Sequence, residues 1–441
     1  MKPFSLKLLA IFPAFAATTA LAFPQAVSKG DSHNLFLDSN GNVYVAGTCE
    51  TYAVCGPIEP SRRLLATYAE FQNAKFVLAG ASSSAVVNQA GELYYAGTGR
   101  YAGDVAMDWA RVPAPGPVVD AEWNSWKTIL FLVKEGGGRI LYQFDMLEKS
   151  VSRLSDKTNW RYVTADPRHN SYALDSYGDV YSWGPRPAYY GDGAEEVRTS
   201  VPDTPTVEGK RFVKLTAGSK TVVGLTDAGA TWAWGDNGSY RMLGDGTTNN
   251  SSVPVAVLGG ENVRDAVAVY NGVAMISNEG QLLQTGWTNL SYKQPKTKLP
   301  GTDTWAIFKD SLYTQPITAS YISHGWSDSS LFIDAGVLYG YSSNQYGELA
   351  MNSEVPEFHE IARAAAFVGT PPPPLAEEDL TDPTKTKVKS NASANNGKSG
   401  NYERSGHVDS GLGNGRTNGK PVASEVFSSR ADGRGFKRSK D

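Results

Sequence analysis

Large aromatic side chains recur at matching points of this chain, and the chemistry they offer is recognition. The segment Asp120-Ala121-Glu122-Trp123-Asn124-Ser125-Trp126-Lys127 carries two indoles where related segments carry small or polar residues. Tyr270 and Trp326 fall at the corresponding turns of two later segments, and Tyr189-Tyr190 lies in a long loop. Amphipathic rings on a rigid support make binding anchors. Trp123, Trp126, Tyr270, Trp326, Tyr189 and Tyr190 are therefore the candidate binding residues. The competing reading is that the same rings plug a channel or fill the core, as aromatics commonly do.

Bond-breaking chemistry has weaker candidates. His33, His169, His324, His359 and His407 are the five histidines, and the first three recur at similar places, as packing or hydrogen-bonding parts of a repeat do. Glu195-Glu196, Asp175 and Asp179 could serve a glycosidase, but adjacent Glu residues on a strand point to opposite faces. No H-E-x-x-H, G-x-S-x-G or phosphate-loop pattern is present. Asp236-Asn237-Gly238 and Asp245-Gly246 offer oxygens without the spacing of a calcium loop, and they read as tight turns. No cofactor and no metal are expected. Cys49 and Cys55 are the two cysteines, close enough to form one disulfide in an oxidising compartment. Two thiols without a nearby histidine make a poor metal site.

The elements that would position these residues form a repeat. A short apolar run, a turn ending in Gly and a second apolar run recur seven times. The turn glycines are Gly41, Gly91, about Gly138, Gly178, Gly229, Gly280 and Gly336, spaced by 50, 47, 40, 51, 51 and 56 residues. Periods of this size signal a stacked or circular array. Each unit reads as four strands, the fifth being the clearest. Arg211 to Leu215 alternates apolar and polar, and Thr221 to Leu225 is a nearly continuous buried run. Thr231 to Trp234 follows the Gly229 turn, and Val253 to Val257 is an edge strand because Pro254 lacks a donor. Seven four-stranded units predict an all-β, seven-bladed propeller, since ring closure lets every blade bury both faces. Phe358 to Ala362 is the expected outer strand of the last blade, and Ala364 to Gly369 a segment that latches the ring beside the first. Trp160 and Trp305 are expected to begin first strands.

Both ends read differently. Met1 to Ala22 has a basic start, an apolar stretch and a small-residue junction, as a secretory signal does. The propeller then occupies residues 23–370. Pro371 to Pro374 opens a stiff spacer, and the Gly-, Asn-, Ser- and Lys-rich remainder to Asp441 reads as a disordered tail. Residues 23–370 hold 27 Lys and Arg against 36 Asp and Glu, a balance that excludes the basic footprint of a nucleic-acid binder.

WGDNGSYRMLGDGTTNNSSVPVAV, from Trp234 to Val257, resembles the repeat of the regulator of chromosome condensation family, which runs roughly WG-x-N-x-x-G-Q-L-G-x-G. Trp183-Gly184 and Tyr341 to Leu349 echo it, and Gly30 to Leu35 and Pro167 to Tyr172 look like its G-x-x-H-[ST] element with Asn after His. The resemblance covers about Val27 to Gly369 and implies a seven-bladed propeller. The eukaryotic namesake exchanges nucleotides on a small GTPase and docks on chromatin, roles that an export signal and an acidic ring do not favour. Other members of the family are exported bacterial proteins, one of which covers the active site of β-lactamases with a propeller face.

The expected function is thus an exported, periplasmic or extracellular, non-catalytic binding module. It is expected to be monomeric and to meet a protein of the envelope or cell exterior through loops on one face. The alternative is a carbohydrate- or peptidoglycan-directed enzyme or a lectin-like sugar binder. An enzyme would gather carboxylates in the channel mouth, whereas a binder would expose an aromatic patch.

Overall fold

The computed structural model describes residues 24–30, 33–48, 62–81, 83–97, 106–125, 127–269, 271–286, 294–309, 311–323, 330–345, 348–353 and 357–364. The expectations for the signal segment, the tail, Ala365 to Gly369, Cys49, Cys55, Trp126, Tyr270 and Trp326 concern residues outside these ranges.

The described residues form seven antiparallel sheets in chain order. Blade 1 is Pro24–Lys29, His33–Asp38, Val43–Thr48 and Arg62–Phe71, and blade 2 is Ala74–Ala79, Ser83–Asn88, Leu93–Gly97 and Ala106–Arg111. Blade 3 is Val118–Trp123, Thr128–Glu135, Gly138–Asp145 and Ser150–Arg153. Blade 5 runs Phe212–Ala217, Thr221–Thr226, Thr231–Gly235 and Ser251–Ala256, with Pro254 on the outer strand as expected. Blade 7 runs Tyr321–Ile322, Ser330–Asp334, Val337–Ser343 and Glu357–Arg363. Two blades depart from four strands. Blade 4 has Trp160–Ala165, Ser171–Asp175 and Val180–Trp183, and only isolated bridges to Val207 and Arg198 stand in the fourth place. Blade 6 has Val263–Val269, Gly272–Ser277 and Leu282–Gln284, then an outer hairpin of Lys296–Lys298 and Trp305–Ile307. Trp305 therefore begins an outer strand of blade 6 and not a first strand, because the longest repeat spacing accommodates an added hairpin.

Alternation along each strand explains the closed ring. Leu35, Leu37, Val43 and Val45 of blade 1 pack against Val77, Ala79 and Val86 of blade 2. The intervening Phe36, Tyr44 and Ala46 point the other way, against Leu331, Ile333, Leu338 and Leu349 of blade 7. A strand whose side chains alternate between two apolar neighbours is buried on both faces, as the runs His33–Asp38 and Thr221–Thr226 are from end to end, with their apolar residues in the middle. Each junction has its own core, seven in all including the seam between blades 7 and 1.

The turn glycines do more than turn. Gly178 has φ +83° and Gly229 has φ +76°, conformations that glycine takes without steric cost. The carbonyls of Gly41, Gly91, Gly178 and Gly229 accept the N–H of Ala74, Val118, Phe212 and Val263, each the first residue of the next blade's inner strand, at 2.8–3.0 Å. A Cβ on Gly178 would lie 2.6 Å from the backbone of Phe212. The glycine period thus marks the place where one blade grips the next.

Inner strands are also stitched sideways. Ser28 Oγ accepts Ala79 N–H at 2.8 Å, Asp120 Oδ2 accepts Val163 N–H at 2.8 Å, and Thr216 Oγ1 accepts Ala268 N–H at 2.7 Å. The Tyr321 hydroxyl donates to Val27 O at 2.8 Å across the seam. These side chains satisfy amides and a carbonyl along the inner strand edges, which sheet pairing leaves open. Among the described residues blade 1 has its four strands, and packing and side-chain hydrogen bonds join it to blade 7 across the seam. Ala364 N–H still bonds Leu338 O within blade 7.

Candidate functional site

Among the described residues, long loops follow the third strands of blades 4, 5 and 7, and the sequence motif shows how they are held. In blade 5, Asn237 is fully buried; its Oδ1 accepts Leu243 N–H at 3.0 Å, and its Nδ2 donates to Asp245 Oδ1 at 3.0 Å and Thr247 O at 3.1 Å. Asn344 repeats the device in blade 7, accepting Leu349 N–H at 3.1 Å and donating to Ser353 O at 3.0 Å. Asn folds the loop on itself, and the following Leu243 or Leu349 is driven into the next junction core.

Each loop then hands one carbonyl to the next blade. Tyr189 O accepts Trp234 Nε1–H at 2.8 Å, Met242 O accepts Thr285 Oγ1–H at 2.7 Å, and Glu348 O accepts Asn34 Nδ2–H at 2.8 Å. The last of these crosses the ring seam. Loops anchored at the base and bonded to a neighbour form a stiff platform, the arrangement in which loops on a rigid scaffold bind. Their exposed apolar side chains include Val197 in the loop of blade 4 and Tyr240 in the loop of blade 5, with Val253 on the outer strand of blade 5.

The described aromatic candidates are packing residues. Trp123 is completely buried; its Nε1 donates to Leu78 O at 3.2 Å, and its ring lies so close to Gly80 that a Cβ there would approach within 3.0 Å. It wedges blade 3 against blade 2. Tyr189 and Tyr190 are buried as well. The Tyr190 hydroxyl donates to Gly184 O and accepts Arg198 N–H at 2.8 Å, folding the blade 4 loop. Rings without exposed surface cannot touch a docked partner, and these three are corrected to structural roles. His33, also buried, bonds Ser84 of blade 2 at 2.9 Å, and burial lowers its pKa to about 4.

Sequence reasoning passed over the inner wall. Asp120 and Glu122 lie two residues apart on one strand and so share a face. Burial, reinforced by the Glu122 charge, pushes the Asp120 carboxyl up to about 7, against the opposing pull of the Val163 amide. Tyr162 of blade 4 is raised by burial and then by Asp120, Glu122 and Asp265, and Tyr321 of blade 7 by burial and the same acidic neighbours Asp265 and Glu122. Blades 3, 4, 6 and 7 meet only around the axis, so these side chains converge on the channel. Lys214 adds an ion pair to Asp265 at 2.6 Å. The i, i+2 spacing of Asp120 and Glu122 was a visible signal, but their partners come from other blades. Among the described residues, no group of His, Cys, Asp and Glu is arranged to hold a metal, and no helix is long and apolar enough to cross a membrane.

No family model matches the chain. Curated relatives do. The chain is 29% identical over 175 residues to the E3 ubiquitin-protein ligase HERC2 of Mus musculus, covering 35% of this chain and 4% of that protein. It is 26% identical over 192 residues to the ultraviolet-B receptor UVR8 of Arabidopsis thaliana, covering 42% of this chain and 41% of the receptor. The matched region thus spans less than half the length of either relative. Among solved structures, Prp20p of Saccharomyces cerevisiae superposes with a TM-score of 0.54 at 15% identity, covering 69% of this chain and 80% of that one. The motif-bearing loops, the sequence matches and the shared ring agree: the chain is a seven-bladed β-propeller resembling the regulator of chromosome condensation repeat family.

Proposed function

We propose that the chain is an exported, non-catalytic binding module whose ring recognises a protein through loops on one face. The observation that carries this reading is the exposure of Val197, Tyr240 and Val253 on and beside loops that buried Asn, Tyr and carbonyl contacts hold in place. Apolar side chains presented on stiff loops lose little entropy on docking, which is how preorganised surfaces gain affinity. At the level of the fold, Prp20p is described with its binding properties to Gsp1p and histones, and yeast RCC1 (Prp20) in a complex with Kap60. Export rests on Met1 to Ala22, the acidic ring argues against nucleic acid, and a protein of the envelope or cell exterior is the partner class that fits both. The ring completes itself, consistent with a monomer.

The test is capture from the native envelope by the full chain, compared with a Val197→Ala/Tyr240→Ala/Val253→Ala variant of unchanged thermal stability. Loss of one specific protein in the variant supports the reading, and identical capture overturns it. A second reading, a carbohydrate-directed enzyme, has one observation in its favour, the Asp120 carboxyl with its raised proton affinity beside Glu122. Both groups already accept inter-strand or local amides, Val163 N–H and Trp123 N–H. Release of a defined sugar by the purified chain, abolished in Asp120→Asn, would establish that reading instead.

A further inference from the structure

Next to Tyr240, the blade 5 loop meets the outer hairpin of blade 6 in an open groove of about 400 Å³ lined by Arg241, Gly246 and Lys298 to Asp303. At its base Asp303 is almost fully buried. Arg241 Nη1 donates to both Asp303 oxygens, at 3.2 and 3.0 Å, and Lys298 Nζ to Oδ1 at 2.6 Å. One carboxylate faces two cations, so the groove keeps a net positive charge on a ring that is otherwise acidic. Burial alone would raise the Asp303 pKa, but the bonds from Lys298 and Arg241 win and hold it below the usual carboxylate range.

Both cations remain open to water. The side chains of Arg241 and Lys298 are 47% and 44% exposed. The bonds Arg241 makes to Gly246 O and Asp303 all use Nη1. Nothing stands within 4 Å of the missing Cβ of Gly301, so a ligand can approach the backbone there.

The fold alone does not call for an arginine at this place. Arg241 has φ +53°, a left-handed conformation that costs a residue with a Cβ about 1 kcal/mol or more. Aligning Arg241-Met242-Leu243-Gly244 with Gly347-Glu348-Leu349-Ala350 puts Gly347 at the matching place of blade 7. The backbone would be served better by glycine, and what Arg241 adds is its guanidinium.

We infer that this groove accepts a carboxylate side chain from an acidic segment of the protein partner. The inference rests on the binding-module reading and deepens it, because Arg241 directly follows the exposed Tyr240 in the same loop. Asp303 fixes the two cations and cancels one charge; the other is available to an incoming Asp or Glu through charge-assisted hydrogen bonds.

The experiment is a fluorescence-anisotropy titration of the full chain, at low ionic strength, with a labelled hexapeptide of alternating Glu and Gly. A Ser-Gly peptide of equal length serves as the uncharged probe. Saturable binding of the acidic peptide is expected, weakened by salt and by about tenfold in Lys298→Gln and in Arg241→Gly. Arg241→Gly relieves the left-handed strain but removes two bonds to the buried Asp303, so each variant is titrated at a temperature where circular dichroism shows it as folded as the parent, which separates lost recognition from lost folding. Arg153→Gln, an exposed cation on blade 3, must bind as the parent does. Equal affinity for the two peptides, or unchanged affinity in both groove variants, overturns the inference. If groove variants are inert while the Val197/Tyr240/Val253 variant still loses its captured protein, the docking surface stands and only its acidic specificity falls.

Discussion

Replacing Gly178 with alanine tests why the glycine period exists. At φ +83° an added Cβ costs about 1–2 kcal/mol of backbone strain. That Cβ would also stand 2.6 Å from Phe212 N and O and 2.7 Å from Arg211 C, backbone atoms of the next blade that cannot rotate aside. Relief requires the turn to retreat, lengthening the 3.0 Å bond from Phe212 N–H to Gly178 O, worth about 1 kcal/mol. The expected loss is therefore about 3 kcal/mol. Two neighbours in blade 3 separate the contributions. Gly137 has φ +88° with nothing within 4 Å of its Cβ position, so Gly137→Ala carries strain alone. Gly138 lacks the positive φ but its Cβ would sit 2.4 Å from Thr158 O, so Gly138→Ala carries contact alone. Urea unfolding with an unchanged m-value reads the three losses. If Gly178→Ala costs no more than Gly137→Ala, the glycines are turn formers only, and the blade-to-blade grip assigned to them is refuted.

Three further outcomes follow from the same geometry. Burial holds the His33 imidazole at about 4 against 6.5 for the unfolded chain, so its contribution is complete above pH 6.5 and is lost as pH falls toward 4. About 3 kcal/mol is at stake, and a His33→Gln variant should lack that slope. Asp120 has the opposite sign: with its pKa raised from 3.8 to about 7, stability is lost as pH rises through that window, and Asp120→Asn should flatten it. The two slopes oppose each other between about pH 4 and 6.5, so each is read as variant minus parent. Asn237→Ala orphans the Leu243 amide and frees the blade 5 loop, for about 2 kcal/mol; proteolysis should then begin within residues 238–250, and unchanged cleavage sites would count against the Asn anchor.

The blade count, the turn glycines, the outer place of Pro254 and the doubly buried run at Thr221 were legible because they depend on local periodicity and backbone chemistry. The second duty of Gly178 was hidden, since its partner Phe212 lies a whole strand and loop away. Size without direction misled the aromatic reading: Trp123 follows alternation into the junction with blade 2, where an indole fills the space left by Gly80. Trp305 looked like a first strand because nothing local distinguishes an inserted hairpin from the start of a unit. The Arg241, Lys298 and Asp303 cluster unites residues up to 62 positions apart, and the channel wall unites side chains of blades 3 to 7. Neither juxtaposition leaves a mark on any single stretch of sequence.

A double-mutant cycle between Val27 of blade 1 and Leu331 of blade 7 tests the closed ring most directly. Both residues belong to the seam core although 304 positions separate them. A closed ring predicts that Val27→Ala and Leu331→Ala couple by about 0.5 kcal/mol or more. Strict additivity would place the two blades at separate ends of an open array and contradict the propeller.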